Sequence, residues 1–327
     1  MSWLAGWNLG RYRWLAAVAI AAALPLALRS NYALHMAVAI GINSIVALGL
    51  NLLIGYAGQV SLGQAAFIAI GSYSSAVLSV KLGLSPWLGM LVGMAVCAAV
   101  AFIIGGPLLR LRGHYLAMGT LGFGVIAQVI MVQWEGLTGG TVGISGVPQL
   151  ALAGFALKEE LAMYYLVAAI VLSALALATN IINSRVGRAM RAVHGSEVAA
   201  ATSGVDTARY KLQVFVLSAV LAALAGSLYA HHTGYVGYDS FGFGRSIQLV
   251  VMVVIGGMAS IWGAILGAAA VTLIVEHLRS FQEYSTIIFG GVLMVIMIFL
   301  PAGLWRGVLD ILRRLSRTGR RPRAERV

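Results

Sequence analysis

Residues 33–54 read ALHMAVAIGINSIVALGLNLLI, a run without a single Asp, Glu, Lys or Arg. A helix needs about 20 consecutive apolar residues to cross a bilayer, so this run is long enough to span a membrane. Comparable apolar stretches lie on both sides of it, at 14–28, 60–80, 86–109, 114–134, 162–182, 212–231, 247–276 and 285–304. The sequence therefore predicts an all-α fold, a polytopic transmembrane helical bundle.

The composition supports a membrane protein. Of the 327 residues, 60% are hydrophobic and only 10% are charged, and the mean hydropathy is +0.92. A soluble domain carries about 25% charged residues, which this chain does not approach. Cys97 is the only cysteine, so no disulfide can form within the chain.

The net charge of +12 is concentrated in three segments, 1–13, 183–211 and 306–327. A basic protein can bind nucleic acid, but basic residues that flank apolar spans on one side are typical of cytoplasmic segments. We therefore expect the lipid bilayer, and no nucleic acid, as the partner of these charges. Both termini are predicted to be cytoplasmic, with 135–160 and Arg245 outside.

The C-terminal arginines lie inside only if residues 247–276 turn back within the membrane. Thirty residues are too few for two full spans, so a broken or re-entrant helix near 256–263 is predicted. The prediction is then about ten passes in one transmembrane domain, 1–327. It includes a polar cytoplasmic loop at 183–211 and a basic tail at 306–327.

The cytoplasmic loop contains the signals of a short helix. Ser196 is suited to cap it, Glu197 suits its positive N-terminal end, and Gly204 is a natural stop. Glu197, Ala200, Ala201 and Gly204 then share one face of small residues. Such a face can lie in the groove of a partner protein, or the helix can simply be a solvated loop element.

This loop resembles the coupling loop of bacterial ABC importer permeases, whose signature is Glu-Ala-Ala, three residues, then Gly. The segment 197–204 reads EVAAATSG, with one residue inserted between Glu and the Ala pair. The segments NLLIGYAGQVSLGQAAF (51–67), RLRGHYLAMGTLGF (110–123), TGGTVGI (138–144) and GGMASIWGAILG (256–267) are similar to the LivH/LivM permeases of branched-chain amino acid importers. Together these matches cover most of 51–267.

The resemblance implies a LivM-type permease subunit in a bacterial inner membrane. It implies four partner chains, namely a LivH-like sister permease, two LivG/LivF-like ATPases and a periplasmic solute-binding protein that delivers solute to the side of 135–160. The residues implied in coupling to the ATPases are Arg188, Arg191, Glu197, Ala199, Ala200, Gly204 and Asp206.

ATP hydrolysis is expected on the partner chains. A P-loop needs Gly-Lys followed by Ser or Thr, and the three lysines follow Val80, Leu157 and Tyr210. We therefore expect no cofactor on this chain, with ATP and Mg²⁺ on the ATPases. No catalytic residue and no metal site is predicted.

Polar residues within apolar segments are candidates for the translocation pathway. An amide facing lipid is costly, so these side chains should face the interior, where they either line a passage or join helices by hydrogen bonds. Irregular backbone at membrane depth is tolerated where it faces protein or a watery cavity. The candidates are Asn43, Asn51, Gln59, Ser61, Gln64, Tyr73 and Tyr115.

Two other classes of protein are considered. A secondary carrier or channel would act without an ATPase, but no ionisable residue lies near the middle of a well-defined predicted span, where ion-coupled carriers commonly place one. A membrane enzyme lacks a recognisable catalytic set. The expected solutes are branched-chain or other hydrophobic amino acids, then urea, amides or aromatic acids, and the sequence does not choose among them.

Overall fold

A computed structural model describes residues 18–19, 21–25, 30–152, 155–156 and 160–278, together with isolated positions between 287 and 307. The helices are α1 (Asn31–Asn51), α2 (Gln64–Val80), α3 (Pro86–Leu108), α4 (His114–Gln133), α5 (Glu135–Thr138), α6 (Glu160–Asn183), α7 (Arg185–Gly195), α8 (Glu197–Thr202), α9 (Thr207–Thr233), α10 (Phe243–Gly256) and α11 (Ile261–Leu278). A π-helical turn, Leu52–Tyr56, continues α1, and a 3-10 turn, Tyr238–Phe241, precedes α10.

Four two-residue strands lie in the connections. Strand β1 (Ile144–Ser145) pairs antiparallel with β4 (Tyr235–Val236). Strand β2 (Ala151–Leu152) pairs antiparallel with β3 (Phe155–Ala156). The described fold is thus all-α apart from these short pairs, as the sequence predicted.

Six helices of the described residues are long and apolar enough to cross a membrane, namely α1 with its π-helical turn, α3, α4, α6, α9 and α11. Helices α2 and α10 are apolar but shorter, with 17 and 14 residues. The predicted count of about ten passes is therefore not confirmed. Two predicted spans, 14–28 and 285–304, lie mostly outside the described residues.

Helices α1 and α9 form the centre of the bundle. Helix α1 packs on α6, α9, α10 and α11, and α9 also packs on α2 and α3. Glycines allow these backbones to approach closely, as small residues do between membrane helices. A Cβ atom added at Gly71 would overlap Ala223 of α9, and one added at Gly226 would overlap the carbonyl of Ile68 in α2.

The bundle has two distinct ends. At the α8 end, α7 and α8 lie beside the turn that follows α1, where Gly58 contacts His194. At the β4 end, the paired strands β1 and β4 lie beyond α9, and the start of α1 meets the start of α6 through His35 and Glu160. Helices α1 and α9 run antiparallel between these ends.

The helix predicted to break near 256–263 is interrupted at 257–260. Gly257 and Ala259 have φ angles of 109° and 58°, which end α10 and reverse the chain into α11. The Asn51 amide spans this turn because its Nδ2 donates to the Ser260 carbonyl at 2.8 Å and its Oδ1 accepts from the Ala259 N–H at 3.0 Å. These bonds satisfy backbone groups that the broken helix leaves free.

The close contact of α2 with α9 gives a test of the packing. We expect Gly226→Ala to lower the free energy of unfolding by about 1–3 kcal/mol, because the added methyl group has no space and overpacking costs this much. Thermal unfolding of the purified chain in detergent measures the effect. Gly106→Ala in α3 is the control, since nothing lies within 4 Å of the added atom. Equal stability of the two variants would contradict this packing.

Candidate translocation and coupling sites

The N-terminal ends of the two short helices meet inside the bundle. The Ala65 N–H at the start of α2 donates to Ser246 Oγ in the first turn of α10 at 3.2 Å. From this contact the helices run in opposite directions. Helix α2 ends where Lys81 donates to the carbonyls of Gly136 and Leu137 toward the β4 end, and α10 ends beside the turn after α1. We call residues 59–65 with 242–248 the half-helix junction.

The junction is level with the middle of the central span. Arg245 Nη2 donates to Asn43 Oδ1 at 2.5 Å, and Asn43 lies halfway along Asn31–Tyr56. Asn43 Nδ2 in turn donates to Thr272 Oγ1 at 2.9 Å. The contact with Asn43 places Arg245 inside the bundle, whereas the sequence-based interpretation placed it outside because it did not locate the start of α10. Because Arg245 is an ionisable residue inside the bundle, the lack of such residues no longer argues against an ion-coupled carrier.

Three of the predicted pathway residues are buried on the connection into α2. Gln59, Ser61 and Gln64 have side-chain atoms without a hydrogen-bond partner among the described residues, namely both amide atoms of Gln59, Ser61 Oγ and Gln64 Oε1. Gln64 Nε2 donates to the carbonyl and the hydroxyl of Ser218 at 3.0 Å. Burying unpaired polar atoms is costly, so these atoms remain available to bind a polar partner such as water or a solute.

The other pathway candidates have different surroundings. Asn51 holds the 257–260 turn and does not face an open passage. Tyr73 is buried with its ring edge on Phe241, and it lines an apolar cavity of about 960 Å³ between α2, α3 and α4. Tyr115 is 73% exposed in the first turn of α4, so it is not part of the junction.

Sequence reasoning missed Arg245 and Ser246, although the chain carries a usable signal. Before α2 the order is Gly55-Tyr56, then Ser-Leu-Gly at 61–63, and before α10 it is Gly237-Tyr238, then Ser-Phe-Gly at 240–242. Each ends directly before a short apolar helix. A pair of short, glycine-interrupted apolar segments in corresponding positions points to a transport site.

The loop predicted to couple to the ATPases folds as two capped helices. Ser184 Oγ accepts from the Val186 N–H at the start of α7, and Ser196 Oγ accepts from the Ala199 N–H at the start of α8. Gly204 ends the segment with a φ of 81°, and the Asp206 carboxylate caps α9. The cap and the stop agree with the sequence prediction.

Glu197 attaches α8 to the rest of the bundle through ion pairs. Its Oε1 accepts from Lys211 Nζ of α9 at 2.6 Å, and its Oε2 lies 3.6 Å from Arg112 Nε on the loop before α4. The Lys211 side chain is only 9% exposed, so this ion pair is shielded from solvent on one side. A shielded charge pair is much harder to break than an exposed one.

Helix α8 is rotated so that only part of the face predicted to contact a partner is exposed. Ala200 is buried and Glu197 turns toward Lys211, so these two hold α8 to the chain and do not face outward. The exposed surface of the loop includes two residues of the predicted face, Ala201 and Gly204, and other coupling candidates. Those candidates are Ala199, Arg188, Arg191 and Asp206, joined by Val198.

The chain is similar in sequence to known permease proteins. A family model described as branched-chain amino acid transport system / permease component matches residues 32–300. The chain is 36% identical over 259 residues to the high-affinity branched-chain amino acid transport system permease protein LivM of Escherichia coli, which covers 72% of this chain and 61% of that relative.

A second relative of the same system matches a shorter stretch. LivH of Escherichia coli is 32% identical over 136 residues, covering 41% of this chain and 44% of LivH. No solved structure gives a significant match. Because the family model spans most of the chain, the chain belongs to the family of permease components of branched-chain amino acid transport systems.

Proposed function

We propose that this chain is the membrane-spanning permease subunit of an ATP-driven importer and that it couples solute movement to ATP hydrolysis on partner chains. The observation that carries the proposal is the attachment of α8 by Glu197 to Lys211 and Arg112. A partner can move the bundle through a short helix only if that helix is fixed to the spans. Membership of the permease family supports the same conclusion.

The assembly proposed is a LivH-like sister permease, two LivG/LivF-like ATPases that carry ATP and Mg²⁺, and a periplasmic solute-binding protein. The α8 end carries five of the loop's basic residues, at 185–211, which supports a cytoplasmic position for it in a bacterial inner membrane. The β4 end then receives solute from the binding protein.

The half-helix junction is the proposed translocation site. A helix N-terminus carries a partial positive charge, and two of them meet here beside the guanidinium of Arg245. Gln59, Ser61 and Gln64 add buried polar atoms on the approach. This arrangement favours a solute with a carboxylate, such as a branched-chain or other hydrophobic amino acid or an aromatic acid, over neutral urea and amides.

A secondary carrier is the second candidate function, and the interior position of Arg245 is the observation in its favour. In that case the chain would move solute without an ATPase. The family supports the importer, since the relatives LivM and LivH are named as permease proteins of a transport system.

Gentle extraction of the chain from its native membrane separates the two functions. We expect a second permease and a P-loop ATPase to co-purify in stoichiometric amounts, because the chain supplies no nucleotide site of its own. Quantitative mass spectrometry of the purified complex measures this. A chain that purifies alone and moves solute without ATP in liposomes would establish the carrier instead.

The coupling role predicts a specific defect for Gly204→Leu. Gly204 is exposed, has open space around it and has a positive φ, so the substitution adds bulk to the docking surface at a modest local strain cost of about 1–2 kcal/mol. We expect normal amounts of folded protein in the membrane but at least a several-fold loss of solute transported per ATP hydrolysed in proteoliposomes.

The matched control is Gly83→Leu, because Gly83 is also exposed, has a φ of 63° and has no atom within 4 Å of an added Cβ. It lies between α2 and α3 at the opposite end of the bundle. If Gly83→Leu and Gly204→Leu lowered the transport-to-ATP ratio equally, backbone strain and not docking would explain the defect.

The junction predicts that the charge of Arg245 is needed for transport. We expect Arg245→Gln to reduce leucine uptake by at least tenfold in proteoliposomes with the full complex, while Arg245→Lys retains part of it. The reason is that a lysine keeps the positive charge but not the forked donor geometry. Lys81→Gln, an exposed cation at the β4 end, is the control. Unchanged uptake with Arg245→Gln would remove this residue from the pathway.

A further inference from the structure

Three side chains of types that can ligate metal converge at the β4 end of the bundle, away from the half-helix junction. They come from three different helices, with His35 on α1, Glu160 on α6 and His232 on α9. His35 Nδ1 lies 3.4 Å from Glu160 Oε1, and His232 Nδ1 lies 4.0 Å from Glu160 Oε2. One donor atom from each residue fits within 4.8 Å of the other two.

Ordinary hydrogen bonding leaves part of this cluster unsatisfied. The His232 side chain is 5% exposed, and neither its Nε2 nor Glu160 Oε2 has a hydrogen-bond partner among the described residues. The two imidazole rings stack with centroids 4.4 Å apart. A buried imidazole and a carboxylate oxygen without partners are costly unless something else binds them.

The neighbouring histidine, His231, differs from His232 because its ring nitrogens are both hydrogen-bonded within the chain. His231 uses both ring nitrogens within the chain, with Nδ1 at 2.6 Å from the Pro148 carbonyl and Nε2 at 2.7 Å from Ser75 Oγ. It therefore has a structural role and no capacity for a ligand. His232 differs because its ring faces His35 and Glu160.

We propose that His35, Glu160 and His232 form a binding site for one divalent transition-metal ion, with zinc as the preferred ion. Two imidazoles and one carboxylate are a known zinc ligand set, whereas calcium and magnesium prefer oxygen ligands alone. Ligand atoms of a tetrahedral zinc site are about 3.3–3.5 Å apart, which follows from bond lengths of about 2.0–2.2 Å. The His35–Glu160 distance already fits, and the His232 nitrogen needs a shift of less than about 1.5 Å.

The site is accessible from outside the bundle. The His35 and Glu160 side chains are 45% and 33% exposed, so an ion can reach them without unfolding the chain. Three protein ligands leave a fourth position for water or another donor. Because the ligands belong to α1, α6 and α9, the bound ion ties the ends of three spans together and stabilises the arrangement in which they are close.

Metal binding by the purified full-length chain tests the site. The chain is stripped with a chelator, freed of any histidine tag, and titrated with Zn²⁺ and separately with Co²⁺. We expect about one equivalent of Zn²⁺ by elemental analysis, a rise of several degrees in the unfolding temperature, and visible absorption bands of Co²⁺ in a low-symmetry site. Mg²⁺ and Ca²⁺ should produce none of these changes.

Glu160→Gln and His232→Asn should each weaken Zn²⁺ binding at least tenfold and abolish the Co²⁺ bands. His277→Asn is the matched control, because His277 is an exposed histidine at the end of α11 that hydrogen-bonds only locally, to the Leu273 carbonyl. Size-exclusion profiles identify variants that fail to fold. The proposal is overturned if the unmodified chain binds less than about a tenth of an equivalent, or if folded Glu160→Gln binds zinc as well as His277→Asn does. Neither result depends on the importer assignment.

Discussion

The two hydrogen bonds of Asn51 to the 257–260 turn are the constraint on which the interior of the bundle depends. A helix cannot break at membrane depth unless its freed N–H and C=O groups find partners. Asn51 supplies one donor and one acceptor at the point of the break, from a buried position on the central span. The break in turn keeps α10 short, and a short α10 can begin inside the bundle. Arg245 reaches Asn43 only because of that starting point.

Ion pairing has a comparable role at the α8 end. Glu197 joins three segments that are distant in sequence, since Arg112 precedes α4, Lys211 lies in α9 and Glu197 begins α8. The loop is attached to the apolar spans by the ion pair of Glu197 with Lys211, which is shielded from solvent on one side. The side of α8 that attaches to the bundle, with Ala200, thus differs from the side proposed for docking, with Val198 and Ala201 outward.

The sequence was sufficient for features that depend on local chemistry. Apolar runs such as 33–54 predicted the spans, Ser196 and Gly204 predicted the limits of the loop helix, and the glycines at 256–257 predicted the broken helix. It was insufficient where one element meets another. The inward turn of Ala200 depends on α9, and the position of Arg245 depends on how deeply α10 begins. The count of passes was estimated from the length of the apolar runs and the side of the basic residues, and neither distinguishes a full span from a half helix such as α2.

The metal-ligand cluster illustrates the same limit. His35, Glu160 and His232 lie far apart in the chain, so no spacing pattern joins them. The antiparallel order of α1 and α9, with α6 beside α1, brings them to one place. The adjacent His231 and His232 also show that identical residue types one position apart face different neighbours on a helix.

Helices α2 and α10 run in opposite directions from the point where they meet. This affects which ions a passage at that point would exclude. Both N-terminal ends face the same point, so their partial charges add instead of cancelling. A positive potential deep within a low-dielectric bundle repels cations strongly. A passage crossing this point would therefore disfavour cations such as sodium ions, even if it were wide enough for an amino acid.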